Sequence, residues 1–495
     1  MGEPSYVLVR SAFLRLLGVV YLVAFLSLGS QLDGLGGSRG ILPAREYMRE
    51  ARQQLDEHGV GLRRYLLLPT LAWVSASDRF LRALWVGGAV LAVALVAGVA
   101  PVPVLVLLWA AYLSLTVIGR DFLSFQWDAL LLEAGLLAVF FAPLGLLPAR
   151  TGEAPPSWIS LWLLRWLLFR LTIGSGLVKL ASGDPTWRHL TALDFHYETQ
   201  PLPTWIGYYA AHLPAWFQRF SCGLMFVIEL GLPLLILAPR RLRLASCAGM
   251  VFLQVLIAAT GNYCFFNLLT AALCLLLFDD AVLGGPIPAG VRSVLAWVNG
   301  EAPAWPIWLL APLAAMLVLI TSVEFLRRFI PVPLPAPLIA LVRAVRPLRS
   351  TNTYGLFAVM TTERDEIVVE GSADGEHWLP YEFKYKPGDV NRRPGFVEPR
   401  QPRLDWQMWF AALGDYRSSP WFISFCQRLL EGSHPVLALL RTNPFPHAPP
   451  RSVRALLYRY RFTSLAERRA DGAWWTRELL GDFCPTLELA PGGAR

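Results

Sequence analysis

The stretch Trp158–Leu180 reads WISLWLLRWLLFRLTIGSGLVKL and runs on through Ala181–Pro214 as ASGDPTWRHLTALDFHYETQPLPTWIGYYAAHLP. Its first part exceeds the roughly 20 apolar residues that a helix needs to cross a bilayer. Three cations, Arg165, Arg170 and Lys179, interrupt that run. A charge within a membrane helix is costly and faces a protein interior or a polar cavity. At 100° per residue, Arg165 and Lys179 fall within about 40° of each other, while Arg170 points about 140° away from Arg165. The second part breaks at Ser182-Gly183-Asp184-Pro185 into a loop crowded with Trp, Tyr and His. Trp and Tyr favour the headgroup level, where a ring sits half in lipid. Helix and loop together predict a polar site roofed at one membrane surface. Its candidates are Arg165 and Lys179 from the helix and Asp184, His189, His196, Glu198 and Gln200 from the loop.

The rest of the chain is of the same kind. Its 495 residues are 55% hydrophobic and 16% charged, a membrane composition. Apolar runs at Ala12–Ser30, Leu84–Ala100, Val102–Gly119, Ala129–Leu147, Trp158–Leu180, Cys222–Ala238, Leu244–Ala259, Tyr263–Phe278 and Ile307–Leu326 predict about nine spans. The first has no small-residue cleavage site and reads as an anchor. Between the first two runs, Gln31–Phe80 is polar and rich in Arg, with helical charge patterning over Pro43–His58. Ala281–Val298 is broken by Gly and Pro and is expected to lie along the interface.

The net charge is +8, and Lys occurs only at 179, 384 and 386. That Arg bias, with abundant Ala, Gly and Pro, suggests a GC-rich bacterial genome. Arg beside membrane segments sets topology or meets lipid phosphates, so the basicity does not imply nucleic acid. Arg240, Arg241 and Arg243 place their connection in the cytoplasm, with the C-terminal part outside. The Arg-rich first connection and Arg327-Arg328 argue for the reverse.

From about Ser350 the character changes, dividing the chain into a polytopic membrane domain at 1–349 and a soluble, mostly β, sandwich-like domain at 350–495. Glu366–Glu370 runs into the turn Gly371–Gly375, a hairpin signal. Tyr381, Phe383 and Tyr385 alternate with Glu382, Lys384 and Lys386, and Tyr458, Tyr460 and Phe462 alternate with Arg459 and Arg461. Both read as strands with one wet face. Ser419–Leu440 reads as a helix.

Several constellations carry candidate chemistry. Glu133, Glu229 and Glu324 lie in the fourth, sixth and ninth runs, where they would pair with the intramembrane cations. Such pairs either lock helices together or line a functional cavity. Gly119–Asp128 packs acids, a cation and aromatics at a helix entrance; it reads as a polar rim facing the 182–214 loop, or as a cap with Asp128 at the N-terminus. His189 and Asp194 fit the H-x4-D pattern of some membrane acyltransferases, with His as general base, although only two residues are fixed. GxSxG, HExxH and phosphate-binding Gly loops are absent, so no catalytic residue, cofactor or metal ligand is assigned. The six cysteines form no CxxC; Cys426 and Cys484, in the polar C-terminal third, could pair only if that part lies outside the reducing compartment. Pro399–Phe410 combines Arg400, Arg403, Asp405, Trp406 and Trp409. It reads as a client-binding or membrane-docking edge. It reads equally as a structural seam, because Trp406, Trp409 and Phe410 share one helix face.

Two pairs of stretches carry a resemblance. SFQWDALLLEAGLLAVFFAP (Ser124–Pro143) precedes FRLTIGSGLVKLASGDPTWRHLTALDFHYETQPLP (Phe169–Pro203), and YEFKYKPGD (Tyr381–Asp389) precedes EPRQPRLDWQMWFAAL (Glu398–Leu413). In this order the chain resembles the lipase maturation factor family over nearly its whole length. The resemblance implies a multispan membrane protein with a lumenal C-terminal domain. It also implies a chaperone-like role in the endoplasmic reticulum, with secreted lipases as clients and no catalytic residues carried over. In a bacterial source the equivalent is the plasma membrane with that domain facing outward. The expected partners are a secreted client and membrane lipids, not nucleic acid. Two rivals stand beside this reading: a membrane enzyme acting on a lipid-like or protein substrate, with its site at Arg165, Lys179, His189, Asp194 and His196, and a transporter using the intramembrane charges. The transporter reading lacks an internal repeat.

Overall fold

The computed structural model describes residues 5–146, 155–285, 305–331 and 333–489. The first helices are α1 (Val7–Gly29), α2 (Asp78–Ala97), α3 (Pro101–Ile118), α4 (Gln126–Phe141) and α5 (Trp158–Ala181). There follow α6 (Ala215–Phe226, continuing to Leu237), α7 (Arg240–Thr260), α8 (Phe266–Leu275) and α9 (Ile307–Arg327). Local chemistry sets the ends. Ser77 Oγ accepts Phe80 N at the start of α2, and Gly98 ends that helix at φ +80, a conformation that costs Gly nothing. Pro233 removes a backbone donor from α6, which passes through a π turn at Val227–Gly231 and a 3-10 turn at Leu232–Leu237.

Helices occupy all nine expected positions, but seven of those described are long and apolar enough to cross a membrane. The two that fall short by length are α4 and α8, which have 16 and 10 residues. At 1.5 Å per residue they reach about 24 Å and 15 Å, less than the roughly 30 Å of hydrocarbon. Most of their side chains are buried within the bundle, so protein rather than lipid surrounds them. The expected interfacial segment Ala281–Val298 lies largely outside the described residues.

The bundle has two distinct faces. On one, Asp280 accepts bonds from Ser5 Oγ, Val7 N and Val9 N, and Arg240 and Arg243 meet Asp279. On the other, Ser27 and Gln31 at the end of α1 bond Gln401, and Arg328 bonds Thr353. The C-terminal region therefore lies opposite Arg240–Arg243. The Arg-rich first connection shares the C-terminal region's face: Ser433 bonds Arg39 O, and Arg428 bonds Gly40 O.

Within the C-terminal region, β1 (Arg364–Ser372), β2 (Leu379–Pro380), β3 (Ser452–Phe462) and β4 (Trp475–Glu488) form one antiparallel sheet in the order β2-β1-β3-β4. The expected hairpin pairs Glu370 with Pro380. Its turn is held by Asp374, which accepts Glu376 N and His377 N. The Tyr458–Phe462 alternation lies on β3, between β1 and β4.

Three expectations are corrected here. Among the described residues there is one sheet and no sandwich; helices α10 (Arg403–Ala412) and α11 (Pro420–Leu430) pack on it instead. The strand predicted over Tyr381–Lys386 stops at Pro380, apart from a single bridge at Phe383. Asp405 captures the backbone donors of Tyr385 and Lys386, and Lys386 is drawn inside onto Glu366 at 2.8 Å. The helix predicted over Ser419–Leu440 breaks at Gly432, φ +64, and resumes for one turn at His434–Leu437. Cys426 and Cys484 are both buried and free.

Candidate functional site

The three cations of α5 lead to different partners. Arg165 and Lys179 share a face, but 14 residues separate them by about 21 Å along the axis. Arg165 donates Nε and Nη2 to Leu276 O at 3.0 and 2.9 Å, with its guanidinium over Tyr6 and Trp162. Lys179 Nζ lies 2.9 and 2.7 Å from the two oxygens of Glu229, on α6, and rests on the Trp187 ring. Arg170, on the opposite face, is ion-paired with Glu133 of α4 and donates to Asn352 O at 2.9 Å. Glu324 is half-buried near the end of α9.

The connector after α9 closes the Arg170–Glu133 pair. Glu133 Oε2 accepts Tyr354 OH at 2.6 Å and Asn352 N and Nδ2 at 3.2 Å. Arg349 reaches Thr116 O, and Trp109 Nε1 donates to Ser350 Oγ. Residues 349–355 thus turn back between α3, α4 and α5 before the sheet begins. The sequence reading missed this. The run STNTYG looks like a solvated linker, and its only signal is a count of buried cations against available carboxylates.

The loop residues are pinned to the C-terminal region. Asp184 accepts Thr186 N at 2.7 Å and Met360 N at 2.6 Å. Burial alone would raise its pKa, but these bonds hold it below the usual carboxylate range. Glu198 accepts Phe462 N at 2.7 Å, and its pKa is raised, first of all by burial. Gln200 donates to Thr260 O and accepts Tyr263 OH. Arg364 collects the carbonyls of Glu198, Gln200 and Pro201. His196 is enclosed by Tyr197, Tyr263 and Phe357 and lies 3.2 Å from Tyr263 OH, with Nδ1 unpartnered. Burial, then the Lys179 charge, pushes its pKa down to about 4. His189 and Asp194 are both exposed, and no hydrogen bond joins them among the described residues.

The Pro399–Phe410 stretch is internal. Arg403 grips Asp128 with two bonds, Nη2–Oδ1 at 2.8 Å and Nη1–Oδ2 at 2.9 Å. Asp128 lies inside the first turn of α4, not at its N-cap, because its carboxylate is committed to Arg403 and Tyr112. Trp406 packs 4.7 Å from Trp127, and Trp409 Nε1 donates to Thr199 O at 2.8 Å. Arg403, Asp405, Trp406 and Trp409 are all buried; Arg400 is half-buried and donates to Ser30 Oγ. The edge they were expected to offer a client is therefore closed by the bundle. The Gly119–Asp128 rim likewise faces α10 and α11, not the 182–214 loop: Gln407 bonds Asp121 O and Trp421 packs on Phe122.

Beside this seam lies a cavity of about 480 Å3, walled by Phe125, Trp127, Phe357, Trp406, Trp409 and Phe410. The segment 355–361 forms one side. It is fixed by Gln126 on Gly355, Trp187 Nε1 on Phe357 O, and Asp184 on Met360 N. Phe357 has φ +55, a strained conformation for an aromatic residue. Among the described residues, no group of three or more His, Cys, Asp or Glu is placed to hold a metal ion.

Residues 8–285 match the lipase maturation factor transmembrane domain, and residues 350–485 the lipase maturation factor C-terminal domain. Lipase maturation factor 2 of Gallus gallus is 38% identical over 99% of this chain and 82% of its own length. Lipase maturation factor 1 of Bos taurus is 38% identical over 98% and 89%. The chain belongs to the lipase maturation factor family. No solved structure matches it. In this family member the buried pairs tie the two matched stretches together: Asp128 and Glu133 come from the first, Arg403, Asn352 and Tyr354 from the second.

Proposed function

We propose that this membrane protein is a maturation factor that assists the folding of secreted proteins, lipases among them, without catalytic chemistry of its own. The observation that carries this reading is the match to both family domains, in order, at 38% identity over 99% of the chain to a lipase maturation factor. The acyltransferase reading gains no support from His189 and Asp194, which are exposed and unjoined. The transporter reading gains none from cations already taken up by Leu276 O, Glu133 and Glu229.

In this reading the region from 350 onward faces the client. Support comes from β4, an edge strand on which Leu479 and Leu480 are exposed. An edge offers unpaired backbone groups to an extended chain. The membrane is that of the endoplasmic reticulum, or the plasma membrane in a bacterial source, with Arg240–Arg243 in the cytoplasm. The test is co-expression with a secreted lipase, followed by extraction in mild detergent. Secreted lipase activity should depend on this protein, and the lipase should co-purify with it. Unchanged lipase activity in its absence, with no co-purification, overturns the reading.

A further inference from the structure

The wall of the aromatic cavity contains an unpaired donor. Three indoles in or beside the wall have acceptors: Trp127 Nε1 donates to Gln401 Oε1 at 2.7 Å, Trp187 Nε1 to Phe357 O at 2.9 Å and Trp409 Nε1 to Thr199 O at 2.8 Å. Trp406, in the same wall, is buried, and its Nε1 has no partner among the described residues. A buried indole N–H is normally paired, because leaving it unpaired forfeits its bond to water with no return.

The segment 355–361 is unpaired in the same sense. It is pinned at Gly355 by Gln126, at Phe357 O by Trp187 and at Met360 N by Asp184. Between those pins, the N–H and C=O groups of Leu356, Ala358 and Val359 make no hydrogen bond among the described residues. Backbone groups are obligatory hydrogen bonders, so this wall offers donors and acceptors in alternation. Asp184 is three residues past the end of α5, so the wall stands beyond that membrane helix. The rim is apolar, with Val359 66%, Phe410 45% and Leu413 49% exposed.

These features select the occupant. A hydrocarbon chain would fill the space between the rings and leave Trp406 and the backbone groups unpaired. An extended peptide meets both needs: its carbonyls accept, its N–H groups donate, and its apolar side chains fill the space. The volume of about 480 Å3 lies in the range of about 300–1,000 Å3 typical of ligand sites.

We propose that the cavity binds an extended, apolar-rich segment of an incompletely folded client polypeptide. A side chain of the segment lies against Phe357 and Trp406, one of its carbonyls accepts Trp406 Nε1, and its backbone pairs with Ala358 and Val359. Trp409, committed to Thr199 O, stays part of the seam. The β4 edge contributes no wall residue, so this is a separate contact. That the segment comes from a client rests on the maturation-factor reading.

The test uses the full-length protein in nanodiscs, with empty nanodiscs as the blank. The probe is a fluorescein-labelled peptide of alternating leucine and serine with a central phenylalanine, read by fluorescence anisotropy. It should bind saturably, and its N-methylated counterpart at least about tenfold more weakly. Trp406→Phe, which keeps a ring and removes the N–H, should weaken binding about three- to tenfold per folded molecule. Ala358→Trp, which fills the cavity, should abolish binding. Should that variant fail to fold, Leu413→Trp at the rim is read in the same way. No saturable binding, equal binding of the N-methylated peptide, or binding that persists in the folded filling variant overturns the proposal. Binding of labelled oleate where neither peptide binds also overturns it and assigns the cavity to a lipid. Secreted lipase activity is measured alongside. Lipase activity that depends on the protein without peptide binding defeats the site alone. Peptide binding without that dependence defeats the maturation-factor reading and leaves the peptide site standing.

Discussion

Arg403 of α10 and Asp128 of α4 form a two-bond ion pair, 2.8 and 2.9 Å, with both side chains buried. They are 275 residues apart in sequence and belong to the two separately matched stretches of the family. Phe122 O and Tyr112 OH supply further contacts to the same guanidinium. This pair, with the Glu133–Tyr354 bond, makes the C-terminal region a built-in part of the bundle rather than a domain on a tether.

Breaking that pair should be severe. Arg403→Ala leaves Asp128 charged and buried, which costs on the order of 3–5 kcal/mol. Arg403→Lys should recover little, because an ammonium cannot make the planar two-bond grip. Thermal unfolding in detergent measures both. A melting temperature for Arg403→Ala within a degree of wild type would refute the role of the pair.

The Glu133 cluster makes a graded prediction. Tyr354→Phe removes one hydrogen bond to a charged acceptor and should cost roughly 1.5–3 kcal/mol. Glu133→Ala strands Arg170 and should cost more, on the order of 3–5 kcal/mol. A Tyr354→Phe cost near zero in denaturation measurements would show that the connector does not stabilise the pair.

Two buried groups give opposite pH slopes. Burial raises Glu398 from its ordinary 4.5 to about 7, although it accepts Tyr263 N and Asn267 Nδ2. Its favoured folded form is protonated, so its contribution is complete below about 4.5 and is lost as pH rises through 7. His196 is lowered from 6.5 to about 4, so its contribution is present above 6.5 and is lost as pH falls towards 4. Between pH 6.5 and 8 only the first slope acts. Wild-type melting should fall across that window, and Glu398→Gln should flatten the fall. An identical slope in the variant would remove Glu398 as its source.

Sidedness is open to labelling because all six native cysteines are buried. Ala373 in the hairpin turn and Arg241 in the first turn of α7 are exposed on opposite faces. With an impermeant thiol reagent on intact cells or sealed lumen-out vesicles, Ala373→Cys should react and Arg241→Cys should not. The reverse pattern would invert the topology and place the Arg-rich first connection and Arg327-Arg328 in the cytoplasm.

The helices were legible because roughly 20 apolar residues in a row leave little else to build. β3 was legible because Tyr458, Tyr460 and Phe462 keep a period of two. Tyr381–Lys386 has the same period and is not a strand, since Asp405, about 20 positions away, takes its backbone donors. Periodicity reports a local preference and cannot see a distant carboxylate. The same limit hid the connector: nothing in Asn352 or Tyr354 announces that Glu133 needs them. The spacing of Arg165, Arg170 and Lys179 gave their relative directions but not their partners, which lie on three other segments.

The last prediction separates the seam from the client surface. Trp409 is buried and anchors α10 to the 182–214 loop through Thr199 O. Trp409→Ala should cost roughly 3–5 kcal/mol and lower the yield of folded protein, with client maturation falling only in proportion to that yield. Leu480 is exposed on the edge strand β4 and carries no core packing. Leu480→Asp should leave yield and melting within about 0.5 kcal/mol of wild type. A charge on an apolar contact edge should nevertheless reduce lipase maturation per molecule of folded protein. Normal maturation by Leu480→Asp would remove β4 as the client edge. Normal melting of Trp409→Ala with lost maturation would return the client site to α10, where Arg400 is the next residue to change.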